Sequence, residues 1–304
     1  MSGKLLHSDK GIYIILTLTA ILWGGNAVTA KHTVGELSPI ITVFIRFAWV
    51  SVILVAVTLI KEGKKSLPSV RQLPALTLLG LTGILINNVL YFTGVKYSTA
   101  INASLIGAVN PVITASFTAA FLHEHLSRQQ LVGILVSFTG VGVVVTKGSW
   151  EAMSQLTFNV GDILLLLASV SWTVYSIIGR KVMTEISPLA ATAWASSIGS
   201  FFLMMMAIEE GFTGKIVLSV TAWESMLYMI IGSGVLAFYW WNQGVAAIGP
   251  NRASIFTNVI PLAGMLFAAL LLHESITLFQ VVGAALIISG VLLTTQVRQI
   301  VPEN

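Results

Sequence analysis

One stretch of this chain occurs twice. Residues 111–124 read PVITASFTAAFLHE, and residues 261–274 read PLAGMLFAALLLHE, which is 150 positions later because 261 − 111 = 150. The same offset relates Gly133 to Gly283, well beyond the repeated phrase. Agreement at a constant offset indicates an internal duplication, and a duplicated chain is expected to fold as two similar units.

The duplication reaches the beginning of the first apolar run. Residues 36–39 (ELSP) match residues 185–188 (EISP) at an offset of 149, because 185 − 36 = 149. Two lysines in front of that run are also typical of a secretory signal peptide. Because cleavage would remove part of a repeat, we interpret residues 10–30 as a retained helix.

The composition indicates a membrane protein. Of 304 residues, 56% are hydrophobic and 9% are charged, and the mean hydropathy is +0.89. Soluble domains carry about a quarter charged residues, whereas a helical membrane span needs about 20 apolar residues. Ten such runs predict an all-α integral membrane protein. The predicted spans are residues 10–30, 39–60, 73–94, 99–122, 129–146, 160–180, 188–208, 222–244, 252–272 and 277–297.

Ten spans divide into two units of five within a single transmembrane domain, residues 1–304. We predict a first repeat at residues 10–146, a connecting loop at 147–159 and a second repeat at 160–297. An odd number of helices per unit inserts the second copy upside down. Inverted repeats of this kind enclose a binding site near the middle of the membrane. The sequence therefore predicts a central cavity between the two halves.

The distribution of positive charge predicts the orientation. With a cytoplasmic N-terminus, eleven Lys and Arg residues fall in inside segments and four in outside loops. This bias follows the positive-inside rule. We therefore predict an inner-membrane protein with both termini cytoplasmic, residues 61–72 inside and residues 147–159 outside.

Each copy of the repeated phrase ends in His-Glu, at residues 123–124 and 273–274. A helix-start pattern follows each one, at residues 127–130 (SRQQ) and 277–280 (TLFQ), which is the S/T-x-x-Q form of a capping box. We interpret the His-Glu pairs as tight turns between the fourth and fifth helix of each unit. The alternative, a metal site, is disfavoured because consecutive residues do not share a helix face, and we predict no metal and no cofactor.

Two five-helix halves, WGGNA at residues 23–27, Arg46 early in the second span and the repeated phrase followed by a glycine-containing span resemble the drug/metabolite transporter superfamily. The resemblance is to its ten-helix EamA-type exporters, and among these to bacterial exporters of aromatic and neutral amino acids. It covers essentially the whole chain. It implies a central cavity lined by helices 1, 3, 4, 6, 8 and 9, with helices 5 and 10 stacked at one side.

Polar side chains within the spans indicate the substrate site, because polar groups are costly in hydrocarbon. Several lie three apart on one helix face, and amides combined with aromatic rings suit a small zwitterion with an apolar side chain. The predicted substrate-binding residues are Trp23, Asn26, Asn88, Tyr91, Trp172 and Tyr175. Weaker candidates are Asn102, Asn110 and Asn258.

The alternative is that the aromatic residues form belts at the membrane interfaces and the amides join helices. We prefer this interpretation for Trp240 and Trp241, because neighbouring residues cannot both line the cavity. Arg46 can hold a substrate carboxylate or extend outward to tie helix ends together. Asp162 is interpreted as a cap of the sixth helix, where a carboxylate is favoured.

The two prolines of the repeated phrase, Pro111 and Pro261, lie about halfway along the fourth and ninth spans. Proline within a helix removes a hydrogen bond and kinks the helix. We predict that both act as hinges for opposite gates, with static kinks as the alternative.

We therefore predict a secondary transporter that exports small metabolites, first of all amino acids, by alternating access. Efflux of toxic cations or drugs is the alternative on the same scaffold. A membrane-embedded enzyme is disfavoured because a nucleophile with a base, or paired carboxylates, is missing at membrane depth. The predicted partners are a small-molecule substrate and the lipid bilayer, without nucleic acid, and the chain is compatible with a monomer.

Overall fold

The protein is described from a computed structural model, which covers residues 9–107, 109–122, 127–146, 159–249, 252–253 and 255–295. These residues form helices and contain no β-strand. Ten spans follow one another along the described chain, numbered α1 to α10. They are Asp9–Val34, Pro39–Glu62, Leu73–Tyr97, a fourth span in two parts at Ala100–Gly107 and Asn110–Leu122, then Arg128–Thr146, Val160–Val182, Pro188–Glu209, Val220–Ile248, Val259–Leu271 and Leu278–Thr295.

Length and hydropathy fit these helices to a membrane. Seven of the described spans are long and apolar enough to cross a bilayer, and α5, α9 and α10 are shorter apolar helices. Large apolar side chains such as Ile60 and Val52 point outward, at 84% and 60% exposure. Each predicted span overlaps one of these helices, so the predicted all-α membrane fold is confirmed.

Serine and proline determine where α2 and α7 begin. Ser38 Oγ accepts the Ile41 amide at 3.1 Å, and Ser187 Oγ accepts the Ala190 amide at 3.0 Å. Proline follows each serine at the first helical position, where its missing N–H has no intrahelical partner to lose. The two matching ELSP and EISP stretches therefore encode the same helix start.

The α2 and α7 helices pack antiparallel. The Ser38 hydroxyl at the start of α2 donates to Glu210, just beyond the end of α7. In the reciprocal contact, the Ser187 hydroxyl at the start of α7 donates to Glu62 Oε2 at 2.7 Å, at the end of α2. Equivalent helices that lie side by side in opposite directions are the expected result of an inverted repeat.

The α5 and α10 helices form a second antiparallel pair. A methyl group built on Gly140 would lie 2.8 Å from the Gly283 carbonyl oxygen, and one built on Gly290 would meet the Gly133 carbonyl. Small residues allow such close approach of two backbones in lipid. Ser137 Oγ also donates to the Ile287 carbonyl at 3.0 Å. Stacking of these two helices agrees with the arrangement that the family resemblance implied.

Both predicted capping boxes are confirmed. At the start of α5, the Gln130 amide bonds to Ser127 Oγ at 3.2 Å, and the Ser127 amide bonds to Gln130 Oε1 at 2.9 Å. At the start of α10, the corresponding distances between Thr277 and Gln280 are 3.3 and 2.9 Å. Two otherwise unpaired amides are satisfied at each helix start.

The backbone departs from α-helical geometry at corresponding places in the two halves. A π-helical segment occupies Gly80–Ile86 in α3, and another occupies Ile231–Leu236 in α8. The fourth span is divided after Gly107, and a 3₁₀ turn at Ile255–Asn258 precedes α9. Irregular backbone at membrane depth is tolerated only inside protein or beside a cavity.

The predicted position of the two prolines, about halfway along continuous helices, was wrong. Pro111 is the second residue of the helix Asn110–Leu122, and Pro261 is the third residue of α9. In the first turn of a helix the proline nitrogen has no hydrogen bond to lose. Each proline therefore begins a new helical segment immediately after an interruption.

We predict that Gly140→Ala destabilises the protein. The added methyl group would collide with the backbone of α10, and overpacking of this kind costs about 1–3 kcal/mol. Gly142→Ala is the matched control, because no described atom lies within 4 Å of a methyl group built there. Thermal unfolding in detergent should show a lower midpoint for Gly140→Ala alone. Equal midpoints for the two variants would contradict the close α5–α10 packing.

Candidate functional site

A cavity of about 100 Å³ lies where the two halves meet. Its wall includes the six helices named by the family resemblance and also α2, which contributes Arg46. Aromatic rings, amides and hydroxyls make up much of the lining. The lining residues are Trp23, Asn26, Arg46, Asn87, Asn88, Tyr91, Ala103, Gly107, Asn110, Leu165, Ala168, Ser169, Trp172, Phe238, Thr257 and Ile260.

Four aromatic side chains form a compact cluster at the cavity. Trp23 and Trp172 meet edge to face, with ring centroids 5.1 Å apart. Phe238 lies 5.9 and 5.5 Å from these two rings, and Trp241 lies 5.3 and 5.6 Å from them. Each such pair contributes about 0.5–1.5 kcal/mol beyond its buried area. The two tryptophans are equivalent residues of the two repeats, since 172 − 23 = 149.

Five of the six predicted binding residues line the cavity, and Tyr175 does not. Its ring packs against Trp172, with centroids 5.0 Å apart. The Asn242 amide donates to Tyr175 Oη at 2.8 Å and to Thr192 Oγ1 at 2.6 Å. Tyr175 therefore lies behind the wall and holds Trp172 in place.

The predicted interfacial position of Trp241 was wrong. Its side chain is 2% exposed and contacts both Trp23 and Trp172. A π-helical turn contains more residues than an α-helical turn, so side chains after Ile231–Leu236 are rotated from the positions of a regular helix. Sequence reasoning also missed Phe238, because an apolar residue in an apolar span carries no distinguishing signal.

Arg46 does not extend toward the membrane surface, and that alternative was wrong. The side chain is 1% exposed. Its Nε donates to the Met229 carbonyl at 3.1 Å, Nη1 donates to Asn88 Oδ1 at 3.2 Å, and Nη2 donates to the carbonyl and hydroxyl of Ser233 at 3.1 Å each. These carbonyls flank or belong to the π segment of α8. The guanidinium thus joins α2 to α3 and α8.

The predicted asparagines also join helices, so that alternative is partly correct. Asn26 Oδ1 accepts the Ser233 hydroxyl at 2.8 Å, which joins α1 to α8, and Asn88 joins α3 to α2 through Arg46. Asn88 Nδ2 also donates to the Gly83 carbonyl of its own helix at 2.9 Å. Asn87 Nδ2 donates to the Ala168 carbonyl at 2.8 Å. Their amides are therefore fixed in orientation while they face the cavity.

Asp162 has a different role from the predicted cap. Asn159 caps α6 through a 2.7 Å bond from the Gly161 amide. The Asp162 carboxylate is 1% exposed and accepts hydrogen bonds from Ser98 Oγ and from Asn102 Nδ2. The weaker candidate Asn102 therefore belongs to a network between α3, α4 and α6. Asn110 lines the cavity, and the side chain of Asn258 lies outside the described residues.

The second His-Glu pair joins the two halves. Glu274 Oε1 accepts the Ala100 amide at 3.0 Å and Oε2 accepts the Ile101 amide at 3.2 Å, so this carboxylate caps the start of α4. His273 has a φ of 53°, which fits the predicted turn. The first pair, His123-Glu124, lies outside the described residues.

Glu36 makes a similar link outside the spans. Its Oε2 accepts the Ser219 amide at 2.7 Å, and its Oε1 accepts the Ser219 hydroxyl at 2.5 Å, just before α8. These hydrogen bonds favour the charged form and lower the pKa of Glu36. The short loop after α1 is thereby attached to the other half of the molecule.

Comparison with known proteins agrees with this architecture. The EamA-like transporter family matches residues 10–146 and again residues 159–296. The uncharacterized transporter YyaM of Bacillus subtilis is 32% identical over 96% of both chains. A probable amino-acid metabolite efflux pump of Salmonella typhimurium is 27% identical over 90% of this chain and 91% of that one.

The fold is also that of a protein of known crystal structure. The TM-score is 0.70 at 20% identity, over 95% of this chain and 98% of the other. Both halves of the chain match the same family model, and the helices, the antiparallel pairing of equivalent helices and the central cavity form a transporter architecture rather than an enzyme site. The chain belongs to the EamA-like transporter family.

Proposed function

We propose that the protein exports amino acids or closely similar small metabolites across the cytoplasmic membrane by alternating access. The observation that carries the proposal is the cavity between two inverted halves, lined by the equivalent residues Trp23 and Trp172. Its wall combines apolar and aromatic side chains with a small number of polar groups, as is typical of small-molecule sites. The name of the Salmonella relative, a probable amino-acid metabolite efflux pump, supports the same substrate class. The charge bias supports cytoplasmic termini.

The proposed binding residues are Trp23, Asn26, Asn88, Tyr91 and Trp172. Amide oxygens accept hydrogen bonds from an ammonium group, and amide and guanidinium N–H groups donate to a carboxylate. The aromatic cluster provides an apolar surface for the side chain of the substrate. Tyr175 supports the site through Trp172 and is a positioning residue.

Efflux of an organic cation is the second candidate. The observation in its favour is that Trp23, Trp172 and Phe238 of the aromatic cluster line the cavity, because aromatic rings attract cations. Arg46 in the same wall opposes it, since like charges repel. The positive charge of Arg46 therefore favours amino-acid binding and disfavours cation binding in the same cavity.

We predict that replacing Trp172, Asn88 or Tyr91 by Ala weakens transport. The loss of one buried hydrogen bond or ring contact should cost about 1 kcal/mol or more, which corresponds to about fivefold. Trp240→Ala is the control, because Trp240 does not line the cavity. The measurement is the initial rate of amino-acid transport in proteoliposomes, normalised to the amount of folded protein. Unchanged transport in all three variants would move the site away from this cavity.

The interruptions in the fourth and ninth spans suggest where the halves bend. Gly107 ends the first part of α4 and lines the cavity, and no described atom lies within 4 Å of a methyl group built there. Thr257 and Ile260 line the cavity beside the interruption that precedes α9. Bending at either place would widen one side of the cavity without disturbing the α5–α10 pair.

We predict that Pro111→Ala and Pro261→Ala both slow transport and bias the protein toward opposite conformations. Alanine restores an N–H and so favours a continuous helix across the interruption. A single cysteine at Ser169 in the cavity wall reports accessibility, since the chain has no cysteine of its own. An impermeant thiol reagent should label this cysteine faster from one side of the membrane in one variant, and faster from the opposite side in the other variant. Normal transport, or a shift to the same side in both variants, would show that the prolines are only architectural.

A further inference from the structure

The cavity wall contains one charged side chain among its described residues, and it is a cation. Arg46 is that residue, and no Asp or Glu belongs to the lining. The other polar members are amides and hydroxyls, which carry no net charge. The described wall therefore has a net charge of +1.

All the acceptors that hold Arg46 are neutral. They are the carbonyls of Met229 and Ser233, the amide of Asn88 and the hydroxyl of Ser233. Among the described residues, no carboxylate forms an ion pair with the guanidinium. The rings of Phe47, Phe92 and Phe238 lie 4.9, 5.7 and 6.0 Å from the guanidinium carbon and attract it. Neither these rings nor the neutral acceptors carry a negative charge, so the cation has no counter-ion among the described residues, and a buried charge without one is unfavourable.

The guanidinium also keeps unused donor capacity. Arginine has five N–H groups, and the structure shows four hydrogen bonds from Arg46 to these neutral acceptors. Its partner Asn88 lies in the cavity wall and is fixed by Gly83. A ligand placed against Asn88 is therefore next to both the charge and the remaining N–H of Nη1.

The charge occurs in only one half of the molecule. Position 195 is the equivalent of position 46, since 195 − 46 = 149, and Ala195 occupies it. The aromatic cluster, by contrast, receives one tryptophan from each repeat. A ligand with an anionic end and an apolar end would thus be bound in one orientation, with its anionic end toward Asn88 and Arg46.

We propose that Arg46 selects substrates that carry a carboxylate on an apolar or aromatic body, and that it excludes cations of the same shape. The proposal rests on the proposed function in assuming that this cavity is the transport site. It goes further by making the carboxylate the required group and the ammonium group dispensable. Arg46 acts through its charge and the Nη1 donor, beside Asn88 in the cavity wall.

Calorimetric titration of the purified full-length protein with four matched compounds tests the proposal. They are phenylalanine, 3-phenylpropanoate without the amino group, its neutral amide, and the cation 3-phenylpropylamine. We expect both carboxylates to bind about tenfold or more tightly than the amide, since hydrogen bonds to charged groups are stronger than neutral ones. The amine should bind most weakly. Equal binding of 3-phenylpropanoate and its amide, or tighter binding of the amine, would overturn the proposal.

Two variants and a control assign the effect to Arg46. Arg46→Gln should abolish the preference for carboxylate over amide, and Arg46→Lys should keep a preference because the charge remains. Arg180→Gln removes an exposed arginine at the end of α6 and should leave the preference unchanged. If the preference persists in Arg46→Gln, the proposal fails.

The same titration separates this proposal from amino-acid export. Binding of 3-phenylpropanoate without binding of phenylalanine would support the anion site and contradict amino-acid export. Tight binding of phenylalanine, together with equal binding of 3-phenylpropanoate and the amide of 3-phenylpropanoate, would support export and contradict the role of Arg46. If none of the four compounds binds, both proposals fail.

Discussion

A backbone in lipid must satisfy its own polar groups, and the whole site depends on this constraint. The four irregular backbone segments of α3, α4, α8 and the turn before α9 contain buried or cavity-lining residues, where side chains or a cavity can compensate for lost helical hydrogen bonds. Carbonyls in or beside the π segments are used in this way. Arg46 and Trp23 bond to the Ser233 carbonyl of α8, and Ser171 Oγ bonds to the Thr82 carbonyl of α3 at 2.7 Å. The irregularities thus supply the acceptors that position the cavity wall.

The duplication provides a symmetric frame around an asymmetric site. The frame consists of the antiparallel pairs α2–α7 and α5–α10, whose contacts are reciprocal. The site is asymmetric because equivalent positions of the two repeats carry different residues. Ser233 of the second repeat, for example, corresponds to Gly83 of the first. Ser233 donates to Asn26, whereas a side chain at Gly83 would collide with the ring of Tyr175. Similar backbones therefore carry different side-chain chemistry in the two halves around the cavity.

The sequence predicted the frame better than the site. Apolar runs, the capping boxes and the constant offset determine the helices and their inversion, because these features depend on local chemistry and on lipid. The cavity positions of Trp23 and Trp172 also followed from the duplication, since equivalent residues can meet where the halves join. The position of Trp241 could not be predicted, because a π segment changes the helical phase without a distinctive residue pattern. The partners of Arg46 lie 42 to 187 positions away and required the folded chain.

Transport by the purified protein tests the central claim most directly. The protein would be reconstituted into liposomes loaded with unlabelled phenylalanine, and entry of labelled phenylalanine would be followed with and without a pH gradient. If the cavity binds amino acids and opens to either side in turn, exchange should drive label inward faster than in protein-free liposomes. Excess unlabelled phenylalanine outside should suppress that uptake. Entry no faster than in protein-free liposomes under both conditions would contradict amino-acid transport through this cavity.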